Sequence, residues 1–168
     1  MLTKRCGAAT IRRSSRTGED SALSGQVFYE DVTEGMEIPP LAKKPTTRQL
    51  VMWAGGSGDF YDLHYDKDFA RAQGLDDVIV HGRLKAAFIG QMLTEWIGAE
   101  GTLKNLACRY RGKDYPGQDM VVRGKATKKY VVSGEHCLEL DVWTENPEGE
   151  KTTSGSAVVA LPSRHERV

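Results

Sequence analysis

Between residues 103 and 161 the hydrophobic pattern alternates with a period of two. This stretch limits the fold more than any other. Four strand-length segments, 103–111, 119–128, 135–145 and 152–161, are separated by the turn formers Tyr115-Pro116-Gly117, Ser133-Gly134 and Asn146-Pro147-Glu148-Gly149. Thr, Val and Tyr are frequent in them, and Cys137-Leu138-Glu139-Leu140-Asp141-Val142 alternates cleanly. Three such strands joined by short turns form an antiparallel meander. A sheet of this kind has an apolar side to bury, and residues 84–97 offer the cover. There Ala87, Phe88, Met92 and Trp96 supply a broad apolar set, and Gly90 permits close packing. A helix apolar on most sides is a buried helix. The expected class is α+β, an antiparallel sheet of about five strands against one central helix.

Upstream, Val27-Phe28-Tyr29 reads as a short strand or extended segment followed by a turn, and Pro39-Pro40 forbids a helix. Residues 46–54 read as helical, with Thr46 or Thr47 as cap and Leu50, Val51 and Ala54 on one face. Gly55-Gly56-Ser57-Gly58 is expected to end that helix. Residues 66–74 read as a short surface helix with Phe69 and Ala70 inward, closed by Gly74.

The charge balance divides the chain in two. Residues 1–18 hold Lys4, Arg5, Arg12, Arg13 and Arg16 and no acid, which leaves 18 basic residues against 23 acids beyond them, a net charge of −5. A mildly acidic domain is poorly suited to general nucleic-acid binding, which needs a basic face against phosphate. We divide the chain into a basic, disordered extension (1–24), one domain (25–163) and a C-terminal tail (164–168). An organelle transit peptide is the minority reading of the extension. No apolar run reaches the ~18–20 residues of a membrane span, so a soluble, cytoplasmic protein is expected. Cys6, Cys108 and Cys137 are odd in number and far apart, fitting neither a disulfide framework nor a zinc site.

Chemistry concentrates in Gly58-Asp59-Phe60-Tyr61-Asp62-Leu63-His64-Tyr65-Asp66. On a straight helix the five-residue step from Asp59 to His64 would turn the side chains apart. In a loop after glycines they can converge on one water or one carbon. A histidine can take a proton from water near neutrality, and a carboxylate can orient it or relay the proton. The pair therefore suits addition or elimination of water. His81-Gly82 then opens the 84–97 helix. A first-turn N–H lacks an intrahelical acceptor, and Gly82 lets a carbonyl approach it, in the manner of an oxyanion hole.

These residues, with Arg109-Tyr110-Arg111-Gly112-Lys113-Asp114-Tyr115-Pro116-Gly117-Gln118, resemble the MaoC-like dehydratases, the (R)-specific enoyl-CoA hydratase group. That family's motif runs Gly-Asp-x-Asn-Pro-x-His-x-Asp, followed by a helix opened by His-Gly. The resemblance spans about residues 27–161. It implies the hot dog fold, a curved antiparallel sheet wrapped around a central helix, and a dimer whose sheets join. It implies reversible hydration of trans-2-enoyl thioesters to (R)-3-hydroxyacyl thioesters, with Asp59 and His64 as catalytic dyad and the Gly82 N–H on the thioester oxygen. Acyl-CoA or an acyl-carrier-protein thioester is the expected partner, with no metal and no redox cofactor. A homodimer or higher oligomer is expected, and a heteromer is possible because family members pair as catalytic and non-catalytic subunits. The sequence departs from the motif at Tyr61-Asp62, where the family has Asn-Pro; Tyr61 is a candidate to narrow or line the pocket. Gln118 stands where the family commonly has Asp.

Other readings stand beside these. Asp59 could cap a turn, and His64 could bond to backbone. His81 is expected to be structural, Asp62 and Asp66 to shape the loop and the next helix start, and His136 to lie on a strand. Ser57 has no base fixed beside it. Arg83, Lys85, Arg109, Arg111 and Lys113 are candidates for coenzyme A phosphates, with a solvated surface the plainer role for each. Trp53, Phe88, Met92 and Trp96 read as core, and Met92 and Trp96 are candidates to border an acyl tunnel. A non-catalytic acyl-binding subunit and a thioesterase are the alternative functions. The latter usually carries its carboxylate on the central helix, where this chain has only Glu95.

Overall fold

The structure, a computed structural model, describes residues 25–166. The expected basic extension, residues 1–24, lies outside them. Five strands form one antiparallel sheet: β1 (Glu37–Lys43), β2 (Thr102–Tyr110), β3 (Met120–Val132), β4 (Glu135–Glu145) and β5 (Lys151–Leu161), in the order β1-β3-β4-β5-β2. The meander β3-β4-β5 follows the alternation expected of it. Its first hairpin turns at Ser133 and Gly134, both with positive φ (52° and 81°), the pairing that matches strand twist across a two-residue turn. β1 and β2 are the edges.

Three helices complete the fold: α1 (Thr47–Ser57), α2 (Lys67–Ala72) and α3 (Gly82–Ile97). α3 lies against the sheet and touches all five strands. Its buried positions run as two adjacent rows, 84-88-92-96 and 85-89-93-97, the i, i+4 spacing of one helix face. Seven of those eight side chains are apolar, and burying them contributes roughly 10–20 kcal/mol, an upper figure. Ala87 is exposed, together with Arg83, Thr94 and Glu95, so α3 is buried along one face and not on most sides. At its C-terminus Gln26 closes the helix. Its Nε2 donates to Ile97 O at 2.7 Å and its Oε1 accepts from Glu100 N at 2.9 Å.

The first strand is Glu37–Lys43, which the sequence did not show; the 27–29 segment, read as strand or extended and then a turn, is the extended form, with Phe28 extended and a 3-10 turn at Tyr29–Asp31. Asp31 causes that turn: its carboxylate accepts from Phe28 N at 3.1 Å while its own N–H returns to Phe28 O. Pro39 and Pro40 sit inside β1, where the register shifts between Ile38 and Leu41. An edge strand with a bulge tolerates residues that cannot donate. Met92 and Trp96 are core residues at 3% and 5% exposure, and Met92 packs under β3 at Gly124. Cys108 and Cys137 are free thiols. Among the described residues no helix is long and apolar enough to cross a membrane.

The end of β5 is strapped to the start of the domain. Glu30 accepts from Ser163 Oγ at 2.6 Å and Arg164 N at 3.2 Å. Arg164, in the expected tail, makes a two-pronged pair with Asp31 at 2.7 and 2.8 Å and lies over the Phe28 ring. The Ser163 hydroxyl above all, with backbone donors and His165, draws the Glu30 carboxyl down from 4.5 to about 2. A carboxyl that ionises more readily when folded stabilises the fold above its unfolded value, and that contribution fades as pH falls from about 4.5 to 2. In Ser163→Ala, carboxyl-carbon NMR should find the Glu30 titration moved back up toward 4.5. A titration left near 2 would show that the hydroxyl is not the cause.

Candidate active site

The site is built on the excursion between α1 and α3. Thr46 caps α1, its Oγ1 accepting from Gln49 N at 3.2 Å. The helix runs through Gly55 and Gly56, further than expected, and stops at Gly58, whose φ of +76° is a left-handed end that favours glycine. The last helical residue, Ser57, donates to Trp53 O at 2.7 Å and accepts from Asp59 N at 3.3 Å. The chain thus leaves α1 with Asp59 held at its exit. Tyr65 braces the following loop, its hydroxyl donating to Asp62 Oδ1 at 2.5 Å and lying 2.9 Å from Phe60 O. Asp62 opens a 3-10 turn, Asp62–His64, and Asp66 caps α2 by accepting from Asp68 N and Phe69 N, so both acids shape the loop as expected.

His64 is 9% exposed, and its Nδ1 lies 2.8 Å from Ile79 O. A carbonyl only accepts, so Nδ1 carries the hydrogen in the neutral ring and Nε2 keeps the basic lone pair. One face of the ring stacks on His81, with centroids 3.7 Å apart and planes 23° apart. Tyr61 approaches edge-on at 6.1 Å, continues edge-on to Phe69 at 5.7 Å, and is 53% exposed. It stands beside the base, on the rim.

His81 is fully buried, and its Nε2 donates to the backbone oxygen of Asp59 at 3.3 Å. Burial first, then the neighbouring His64, lower its pKa below the ordinary histidine value. Donor atoms of Asp59, His64 and His81 all lie within 4.8 Å of one another. Such a set can be asked whether it would hold a cation. Backbone carbonyls already take one nitrogen of each ring, His64 Nδ1 by Ile79 O and His81 Nε2 by Asp59 O, and the other nitrogen of His81 is buried. The sequence thus brought Asp59 and His64 into one site but missed that His81 joins them. Its place beside Gly82 was the available signal.

Gly82 is the first residue of α3, where the N–H has no acceptor within the helix. A Cβ there would stand 2.7 Å from the Tyr110 ring, so the close approach of β2's last residue requires glycine. Ser57, Gly58, Asp59 and Arg83 line a cleft of about 270 Å³ that brings Asp59 to the N-terminal end of α3. Of the cations expected at the surface, Arg83 is at this cleft. Arg111 and Lys113 line a separate depression of about 440 Å³ shared with Glu148 and Glu150.

Lys85 corrects the sequence reading. It is 2% exposed and pairs with Asp114 at 2.6 Å, while Nζ also donates to Gly112 O at 3.0 Å. Its position on the buried 85-89-93-97 row was the signal that could have found it. Asp114 O accepts from Val80 N at 2.8 Å, and Ile79 N donates to Leu63 O at 3.2 Å. The ion pair therefore holds the 112–114 loop, the loop holds Val80, and the neighbouring Ile79 holds His64.

The family described as MaoC like domain matches residues 31–146. The (R)-specific enoyl-CoA hydratase of Rhodospirillum rubrum is 25% identical over 143 residues, covering 82% of this chain and 93% of that protein. The 3-oxo-4,17-pregnadiene-20-carboxyl-CoA hydratase beta subunit of Mycobacterium tuberculosis is 27% identical over 93 residues, covering 55% of this chain and 72% of that protein. In fold the chain is similar to unliganded R-hydratase PhaJ1 from Pseudomonas aeruginosa, with a TM-score of 0.74 at 21% identity over 83% of this chain and 88% of that one.

Removing one member of a buried ion pair strands the other charge, at a cost of about 3–5 kcal/mol, whereas replacing both by apolar groups is often near neutral. Urea unfolding should find Lys85→Met destabilised by about that amount, and Lys85→Met/Asp114→Leu much nearer to the parent. Equal losses in both would mean that the site depends on packing volume and not on the pair.

Proposed function

The chain belongs to the MaoC-like family, and from that premise we propose that it hydrates trans-2-enoyl-CoA thioesters to (R)-3-hydroxyacyl thioesters and catalyses the reverse dehydration. One observation carries the reading. The Asp59 carboxylate and the His64 ring come together, a carboxylate oxygen and a ring nitrogen lying within 4.8 Å, and Ile79 O occupies Nδ1, which leaves Nε2 as the free base. A base and a carboxylate that share one small molecule are what addition of water to an activated double bond requires.

In the proposed hydration, water sits between Asp59 and His64 Nε2. Nε2 takes a proton from the water as its oxygen attacks the β carbon, and the imidazolium returns that proton to the α carbon, so H and OH of one water are added and His64 ends neutral. The thioester oxygen, which gains negative charge as the α carbon becomes nucleophilic, lies against the Gly82 N–H. The helix end adds its positive dipole there. Tyr61 on the rim is the proposed determinant of which acyl groups enter. Met92 and Trp96 belong to the core, so the acyl group's path is not assigned to them. The reaction as proposed draws on no metal or redox cofactor, with acyl-CoA entering as substrate.

The name of the mycobacterial relative, a beta subunit, favours a second reading in which this chain works beside another subunit. A second copy, or a partner of the same fold, would meet β2, the strand at the far edge of the sheet. A thioesterase draws less support. The one acid of α3, Glu95, is exposed and accepts from Gln91 at 2.7 Å.

Asp59→Asn and His64→Ala should each lower kcat for crotonyl-CoA hydration, followed by ultraviolet absorbance, by about 10²- to 10⁴-fold with the circular dichroism unchanged. Parent-like rates in both would refute the dyad. Activity that appears only on adding a second subunit would select the heteromeric reading.

A further inference from the structure

We infer that His81 is a positioning residue that aligns both members of the dyad at once; this rests on the hydratase reading. Three observations converge on it. First, its Nε2–H donates to Asp59 O at 3.3 Å, which fixes the backbone that carries the carboxylate. Second, its ring lies flat on His64 at 3.7 Å, which blocks one side of that ring. With Nδ1 held in plane by Ile79 O and Tyr61 at an edge, His64 retains one orientation, and Nε2 points where the water must be. Third, His81 is the residue before Gly82, and His81 O accepts from Leu84 N and Lys85 N. The residue that aligns base and carboxylate therefore also seats the helix turn that offers its N–H to the thioester oxygen.

The chemistry of the imidazole separates this from core filling. With Nε2–H given to a carbonyl, the neutral ring keeps a bare Nδ1, which finds no hydrogen-bond partner among the described residues and is out of reach of water. Leaving a buried nitrogen unpartnered is costly, and a phenyl or isobutyl group would fill the same volume without that cost. Adding a proton to Nδ1 would bury a charged donor with nothing to accept it, so His81 stays neutral. A neutral π face is what the His64 imidazolium formed during water addition needs beside it: a cation over an aromatic face is attracted, whereas a second imidazolium would repel it.

The test uses the full chain and three substitutions, His81→Phe, His81→Gln and His81→Ala. Phe keeps the ring face and loses the N–H; Gln keeps an N–H and loses the face; Ala loses both. Three measurements are taken: kcat and KM for crotonyl-CoA, thermal unfolding, and the ring ¹⁵N signals of His64. We expect His81→Ala to lower kcat by about 100-fold, with KM within about threefold, and to turn a single Nδ1–H tautomer of His64 into a mixture. His81→Phe should keep the single tautomer and recover about tenfold of the lost kcat. His81→Ala with kcat within about twofold of the parent, or with His64 ring signals unchanged, overturns the inference. If His81→Ala does not fold, the other two decide. His64 signals preserved in Phe and scrambled in Gln support the stacking role, and signals unchanged in both refute it. A parent chain that hydrates no enoyl-CoA would sink the functional reading alone, because the His64 signals still report the alignment.

Discussion

Lys85 places an ammonium on a helix row that is otherwise apolar, and Asp114 answers it at 2.6 Å. Taking both charges out of water is expensive, and the attraction between them recovers that cost only with good geometry and further hydrogen bonds. Here Gly112 O supplies one of these bonds. The pair cannot be read as a simple source of stability. What it does is fix where the 112–114 loop sits relative to the start of α3. Val80 hangs on that loop through Asp114 O, and His64 hangs on Ile79. A charge pair does this better than an apolar contact because it is directional and admits one register.

The remainder of the fold supports the same end of the same helix. α3 supplies the rigid axis, and the antiparallel sheet covers its apolar face. The chemistry lies on the irregular passage between α1 and α3, where backbone groups are not committed to a ladder and side chains can converge. Each step of that passage is tied down locally: a left-handed glycine, the Ser57 hydroxyl, the Tyr65 hydroxyl, the Asp66 cap. The passage is therefore a loop in shape that is anchored at several points along its length.

Two histidines in contact divide the work by their hydrogen bonds. Each gives one N–H to a carbonyl, His64 through Nδ1 and His81 through Nε2, so each is held in one neutral tautomer. The other nitrogen of His64 is not taken by a carbonyl and the ring lies beside Asp59, while the other nitrogen of His81 is buried without a partner among the described residues. Backbone contacts alone thus set equivalent side chains in opposite tautomers, which is the division that the proposed roles of base and support require.

The sequence by itself determined the strand meander, the central helix, the α2 cap and the meeting of Asp59 with His64. Each of these follows from local information: period two or four, the φ limits of Gly and Pro, and the preference of Asp and Thr for helix starts. It did not show the strand at 37–43, because a bulged edge strand carrying Pro39-Pro40 has no periodic signature. Which of five cations is buried, which nitrogen of His64 is basic and what His81 touches were decided only in three dimensions. Lys85 and Asp114 are 29 residues apart, and His81 and Asp59 are 22 apart. Contacts over such separations depend on how α3 seats on the sheet: the helical period could mark Lys85 as inward, but nothing local names Asp114 as its partner or Asp59 O as the acceptor of His81.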